Sequence, residues 1–216
     1  MCRKVLLVEA GADGERCGAS RWTGAYLRLY KDLKFDKAWK SYVNKTNRGL
    51  ADLKYCDKLG EIAGAVAEYV ESKGVELIRH KEEQVALEFD TGGYFVRPNG
   101  GGLAIINKLL ESIRTHPNCT IAWETAAERL VTNDEGDVVG AVLRGSNGKL
   151  RTVSAPHVML ACGGFEGNVE MLTQYVGKDA CDLPIIAPGL KYNQGAGIRM
   201  AKAVGAATSG TFHSVI

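Results

Sequence analysis

The stretch Val5–Ser20, VLLVEAGADGERCGAS, constrains this chain more than any other. Four consecutive apolar residues, Val5–Val8, suit a strand buried on both faces of a parallel sheet. Glu9 falls where that strand would end, and a glycine-rich loop follows. In dinucleotide-binding folds an acid at the tip of the second strand accepts hydrogen bonds from a ribose, about 20 residues after a Gly-x-Gly-x-x-Gly turn on the first strand. Only eight residues precede Glu9, so that turn has no room here. Taking Val5–Ala10 as the first strand fails as well: the loop runs Gly11-Ala12-Asp13-Gly14-Glu15-Arg16, with the wrong spacing and an acid facing the phosphates. The stretch is therefore either an ordinary buried strand or the second strand of a nucleotide domain in a truncated chain.

The balance of 27 basic against 25 acidic residues leaves a net charge of +2, which gives no bulk electrostatic case for nucleic acid or a membrane surface. No apolar run is long enough to span a bilayer, and no signal peptide is visible at Met1. The six cysteines (Cys2, Cys17, Cys56, Cys119, Cys162 and Cys181) form no Cys-x-x-Cys pair and have no histidine at zinc spacing. Reduced thiols in a cytoplasmic protein without a bound metal are the expectation.

Between Arg21 and Asn47, Lys31, Lys34, Lys37 and Lys40 recur every third residue with Trp39, Tyr42 and Val43 among them. Asp32 and Asp36 interrupt the run, so a solvated helix face or loop is favoured over a nucleic-acid surface. Leu59, Ile62, Ala63, Val66, Tyr69 and Val70 fall at helical spacing, and Lys73-Gly74 closes that helix. Short strands are expected at Val75–Ile78 and Val85–Phe89, with a turn at Gly92-Gly93. Gly100-Gly101-Gly102 precedes a second helix carrying Leu103, Ile106, Leu109, Leu110 and Ile113 on one face. That glycine run suits either an anion site or a tight turn. Cys119–Trp123 reads as a parallel strand. Thr125–Thr132, Val138–Arg144 and Lys149–Ala155 follow, separated by turn sequences at 133–136 and 145–148. An antiparallel three-stranded meander is thus expected before another parallel strand, Val158–Ala161.

Ala161-Cys162-Gly163-Gly164-Phe165-Glu166-Gly167-Asn168 resembles the Ala-Thr-Gly-Gly-Phe-x-x-Asn motif of FAD-dependent oxidoreductases of the fumarate reductase/succinate dehydrogenase flavoprotein family, with tricarballylate and 3-ketosteroid dehydrogenases the most similar branches. Val5–Glu9 is similar to the family's ribose-binding strand, and Gly18–Gly24 to the loop along the flavin. Gly100–Leu103 resembles the Gly-Gly-x-Leu helix start, Asn193–Ala201 the Asn-Thr-Gly-Asp-Gly-Ile-x-Met-Ala motif, and Phe212-His213 a Phe-His pair near substrate. Cys162, Ala19, Gln194 and Ala196 depart from the usual Thr, Asn, Thr and Asp, which removes several side-chain hydrogen bonds to FAD.

The resemblance implies an α/β fold: an incomplete FAD-binding Rossmann-like domain with a parallel sheet and a three-stranded β-meander, plus part of an inserted α+β cap domain. The implied bounds are 1–80 for a partial FAD-binding domain, 81–98 for the edge of the cap or insertion, 99–190 for the FAD-binding domain with its meander, and 191–216 for a helix and the start of the cap. The family's pyrophosphate turn would precede Met1, and its catalytic part would follow Ile216. The implied activity is hydride transfer between FAD and a carbon–carbon bond next to a carboxylate or ketone.

Cofactor contacts carried over by the motifs are Glu9, Ala10, Gly18, Ser20, Thr23, Gly24, Ala127, Ala161, Gly163, Gly164, Gly195 and Gly197. His213 is the candidate catalytic contact and Arg97 the candidate substrate ligand, while His80, His116 and His157 have no catalytic context. The implied partners are a small-molecule carboxylate or ketone and an unspecified electron donor or acceptor, with no nucleic acid and no membrane segment. The alternative is a truncated, non-catalytic chain or pseudoenzyme that binds no FAD. An NAD-binding Rossmann protein is disfavoured by the meander and the missing fingerprint.

Overall fold

A computed structural model describes residues 4–16, 18–27, 29, 32–35, 38–81 and 94–209, with the backbone alone at 80–81 and 94–95. Two compact units share the chain, one formed by residues 1–19 with 116–216 and the other by residues 20–115.

In the first unit, β1 (Val5–Val8) lies parallel to β4 (Cys119–Ala122), with Val5 opposite Cys119 and Val8 opposite Ala122. The ladder ends where Glu9 N–H donates to Ala122 O at 2.9 Å. A meander of β5 (Thr125–Thr132), β6 (Val138–Gly145) and β7 (Leu150–Ser154) follows at the expected turns. Its centre, Gly140–Leu143, is buried. Gly140 is required there, because a Cβ would collide with the Val153 carbonyl of the neighbouring strand. After the meander come α4 (Val169–Tyr175), 3-10 helices at Lys178–Asp182 and Pro188–Tyr192, and α5 (Ala196–Ala203).

Two expectations about this sheet fail for one physical reason. Val5, Leu6 and Leu7 are 52%, 37% and 40% exposed, not buried on both faces. Val158–Ala161 is not a strand, and Met159 within it is 92% exposed. Among the described residues this sheet has two strands, β1 and β4, so β1 has a ladder on one side alone and the segment 157–164 joins none.

In the second unit, α1 (Trp39–Thr46) leads to α2 (Leu53–Ser72). Asp52 caps α2 by accepting from the Lys54 and Tyr55 N–H groups, and Lys73 with Gly74 (φ +85°) ends it as the sequence indicates. β2 (Leu77–Lys81) pairs antiparallel with β3 (Tyr94–Pro98), two residues later than the expected strand start. Leu29, Ala63 and Val96 form the core, with Leu33, Phe35 and Leu77 packed against it. In the basic stretch, Lys34 pairs with Asp32 and Lys40 with Asp57, and all four side chains are solvent-accessible. The helix α3 (Gly101–Arg114) completes the unit. The expected strand at Val85–Phe89 and the turn at Gly92-Gly93 lie outside the described residues. Among the described residues, no helix is long and apolar enough to cross a membrane.

Candidate functional site

Glu9 stands at the tip of β1, half-buried, where its carbonyl accepts from Thr125 N–H at 3.0 Å. Its carboxylate accepts from Gly11 N–H at 2.8 Å, which sets the side chain's direction. Gly11 is buried, and a Cβ on it would stand 3.1 Å from the Tyr192 ring, so the first turn of the loop is pressed against residues 188–192. Further along, Tyr192 donates its hydroxyl to Glu15 Oε2, and Lys191 Nζ donates to Glu15 Oε1 at 2.8 Å. The Lys191 ammonium, followed by the Tyr192 hydroxyl, holds the Glu15 carboxyl below its ordinary value. Glu15 in turn holds both Lys191 and Tyr192 above theirs.

Behind this loop, the glycine motif and the segment before α5 interlock. Gly163 (φ +70°) and Gly18 (φ +48°) both face the Asn193 side chain, 2.9 Å and 3.2 Å from where their Cβ atoms would lie. Asn193 Nδ2 donates to Glu166 Oε2 at 2.9 Å, and a Cβ on Gly164 would meet that same Glu166 carboxylate at 2.7 Å. Gly163 is favoured by its φ of +70°, while the Asn193 and Glu166 side chains fill the space beside both glycines. Gly195 (φ +70°) forms the N-cap of α5, and its N–H donates to Gly164 O at 2.9 Å. A Cβ on Gly197 would lie 3.3 Å from the Cys162 Cβ. Asn168, the last residue of the motif, caps α4: its Oδ1 accepts from Met171 N–H, and its Nδ2 donates to Gln194 O. Gln194 binds back to the Gly167 and Lys191 carbonyls. The residue standing for the family's Thr is therefore a brace between the two segments. Leu160–Gly163, Gly197, Ile198 and Ala206–Thr208 border an open cavity of about 340 Å³. Ala10 is exposed at the strand end, and Ala127 lies half-buried on β5 beside a bulge.

In the unit 20–115, the two glycine motifs meet directly. Gly102 N–H donates to Thr23 O at 2.8 Å, and a Cβ on Gly102 would overlap the Ser20 carbonyl. Thr23 Oγ1 accepts from Ala25 N–H at 3.0 Å, which fixes the turn after the loop. The Gly100–Gly102 run is thus a tight junction with the loop, with Gly100 at φ +89° and Gly101 at +64°. Gly24 lacks the Cβ that would strike the Tyr26 ring. Above that ring stands the Arg97 guanidinium, 5.8 Å from the centroid, and Arg97 Nε is buried without a hydrogen-bond partner. Sequence reasoning missed the roles of Tyr192, Lys191 and Asn193, which act across long stretches of sequence. His213 lies outside the described residues.

Several features suit a flavin dinucleotide. Glu9 offers a directed carboxylate to a ribose diol, and the backbone of Ala161–Gly163 is exposed beside a cavity and the N-terminus of α5.

The FAD binding domain family matches residues 3–215. A probable fumarate reductase of Shewanella frigidimarina is 31% identical over 167 residues, which is 75% of this chain and 27% of that protein. Among solved structures, the 3-ketosteroid-Δ4-(5α)-dehydrogenase of Rhodococcus jostii, in complex with 4-androstene-3,17-dione, superposes with a TM-score of 0.74 at 22% identity over 94% of this chain. A flavocytochrome c3 fumarate reductase in its open conformation gives 0.70 at 24% over 96%. The chain spans 49% and 41% of those two chains. Both likenesses support the Rossmann-like fold. The family match spans nearly the whole chain: the protein belongs to the FAD binding domain family, and its cofactor is FAD.

Proposed function

We propose that the protein moves a hydride between FAD and a carbon–carbon bond next to a carboxylate or ketone of a small molecule. Bound FAD supplies the two-electron chemistry. The chain's own residues bind and orient. Glu9 holds the adenosine ribose, with Ala10 and the Ala127 backbone beside it. The backbone at Ala161 and Gly163, both exposed, and at half-buried Gly164, with the α5 entrance at Gly195 and Gly197, lies along the dinucleotide, while Gly18, Ser20, Thr23 and Gly24 form the loop beside the ring.

The observation that carries this reading is the stack of Arg97 on Tyr26 and of Tyr26 on Gly24. It sets a guanidinium with a buried, unpartnered Nε next to the loop that resembles the flavin loop. A guanidinium presents a fork of donors suited to a carboxylate or carbonyl oxygen. The relatives' substrates, fumarate and a steroid ketone by their names, are of that class.

The test is direct. With the flavin reduced under anaerobic conditions, an α,β-unsaturated carboxylate or enone is expected to restore the oxidised flavin spectrum in the wild type. Arg97→Ala is expected to raise the concentration of acceptor needed by about tenfold or more. No reoxidation by either class of acceptor would overturn the proposal.

A further inference from the structure

The loop that binds the Glu9 carboxylate is itself held by residues far from it in sequence. Gly11 N–H binds the Glu9 carboxylate, and Gly11 O accepts from Glu124 N–H at 3.1 Å. The ring of Tyr192 covers Gly11, and its hydroxyl reaches Glu15 four residues later in the same loop. Lys191 takes the other oxygen of Glu15. The chain is anchored again at Gly18, where a Cβ on Gly189 would lie 2.7 Å from Gly18 O, so the segment 189–193 meets Gly11, Glu15 and Gly18 in turn. The loop thus binds the Glu9 carboxylate through Gly11 and is gripped at Glu15 by Lys191 and Tyr192. The flanking charges on the loop are Asp13 and Arg16, which pair with each other.

We infer that Glu15, Lys191 and Tyr192 form a clasp that positions Glu9 for the adenosine ribose and so sets the affinity for FAD. This rests on the ribose role proposed for Glu9. Glu15, Lys191 and Tyr192 are positioning residues, and none of them need touch the cofactor. When the clasp opens, the Gly11 amide loses its fixed place and the carboxylate loses its aim. The dinucleotide is then bound through its backbone contacts alone.

Tyr192→Phe keeps the ring over Gly11 and removes only the hydroxyl, and Glu15→Gln keeps an acceptor while removing the charge. Glu15 is exposed and Tyr192 half-buried, and each substitution keeps the size of its side chain, so both variants are expected to fold. Each is expected to weaken FAD binding by about fivefold. The two together are expected to weaken it no more than about tenfold, since they break one device. In a Glu9→Gln background, Tyr192→Phe is expected to have no further effect, a result that a general loss of structure would not give. In the protein free of FAD, hydrogen exchange at the Gly11 and Glu15 amides is expected to quicken by about fivefold in Tyr192→Phe.

An undiminished effect of Tyr192→Phe in the Glu9→Gln background would overturn the inference, as would unchanged affinity in both single variants. If Glu9→Gln itself leaves FAD affinity unchanged, the ribose reading fails and the inference with it. The exchange measurement then still reports whether the clasp orders the loop.

Discussion

Among the described glycines, Gly102→Ala is expected to be the most damaging addition of a single methyl. The new Cβ would lie inside the Ser20 carbonyl and close to the Thr23 side chain, and no rotamer change relieves a collision with backbone. Gly102 also donates the hydrogen bond that ties α3 to the loop 20–24, and any retreat of the loop lengthens it. Neighbouring Gly101, at φ +64° with Thr23 O 2.8 Å from its Cβ position, cannot absorb the shift. A cost of about 3 kcal/mol follows from overpacking of this kind, which lowers the melting temperature by roughly 10–20 °C in a unit of this size. Differential scanning calorimetry of Gly102→Ala beside Gly14→Ala checks this, since a methyl at Gly14 meets nothing within 4 Å. Equal melting temperatures for the two variants would show that the loop and helix are not joined as described.

Glu9→Gln is expected to give the largest loss of FAD affinity from one near-isosteric change. A carboxylate accepting from a ribose diol makes charge-assisted hydrogen bonds worth about 1.5–3 kcal/mol. Losing them corresponds to roughly 10–100-fold in dissociation constant. The amide retains an oxygen for Gly11 N–H, so the strand tip and the fold are expected to persist. Titration of FAD fluorescence quenching reads the change directly. Unchanged affinity would place the ribose elsewhere.

Much of this architecture was legible because it is local. The meander is set by turn sequences at 133–136 and 145–148, so β5 begins and ends at the expected residues. Lys73-Gly74 ends α2 and Gly100–Gly102 opens α3 for the same reason, whereas α2, capped by Asp52, starts at Leu53, six residues before Leu59, where the apolar stripe that marked the helix begins. Non-local consequences were harder to read. Apolar character at Val158–Ala161 suggested a strand, yet composition alone does not provide a neighbouring edge. Gly163 and Gly164 were recognised by motif, but the side chains that fill the space beside them, Asn193 and Glu166, are joined by folding over long loops. Glu15 had looked like an unfavourable acid in a phosphate loop. Its partners, Lys191 and Tyr192, lie 176 and 177 residues away, beyond the reach of any periodicity.

The central claim is that this chain holds FAD, and its most direct test is the flavin content of the purified protein. After incubation with excess FAD and gel filtration, heat release and chromatography of the supernatant are expected to yield FAD approaching one mole per mole of protein, and substantially less from Glu9→Gln. A folded wild-type protein that emerges colourless and retains no flavin would contradict the account.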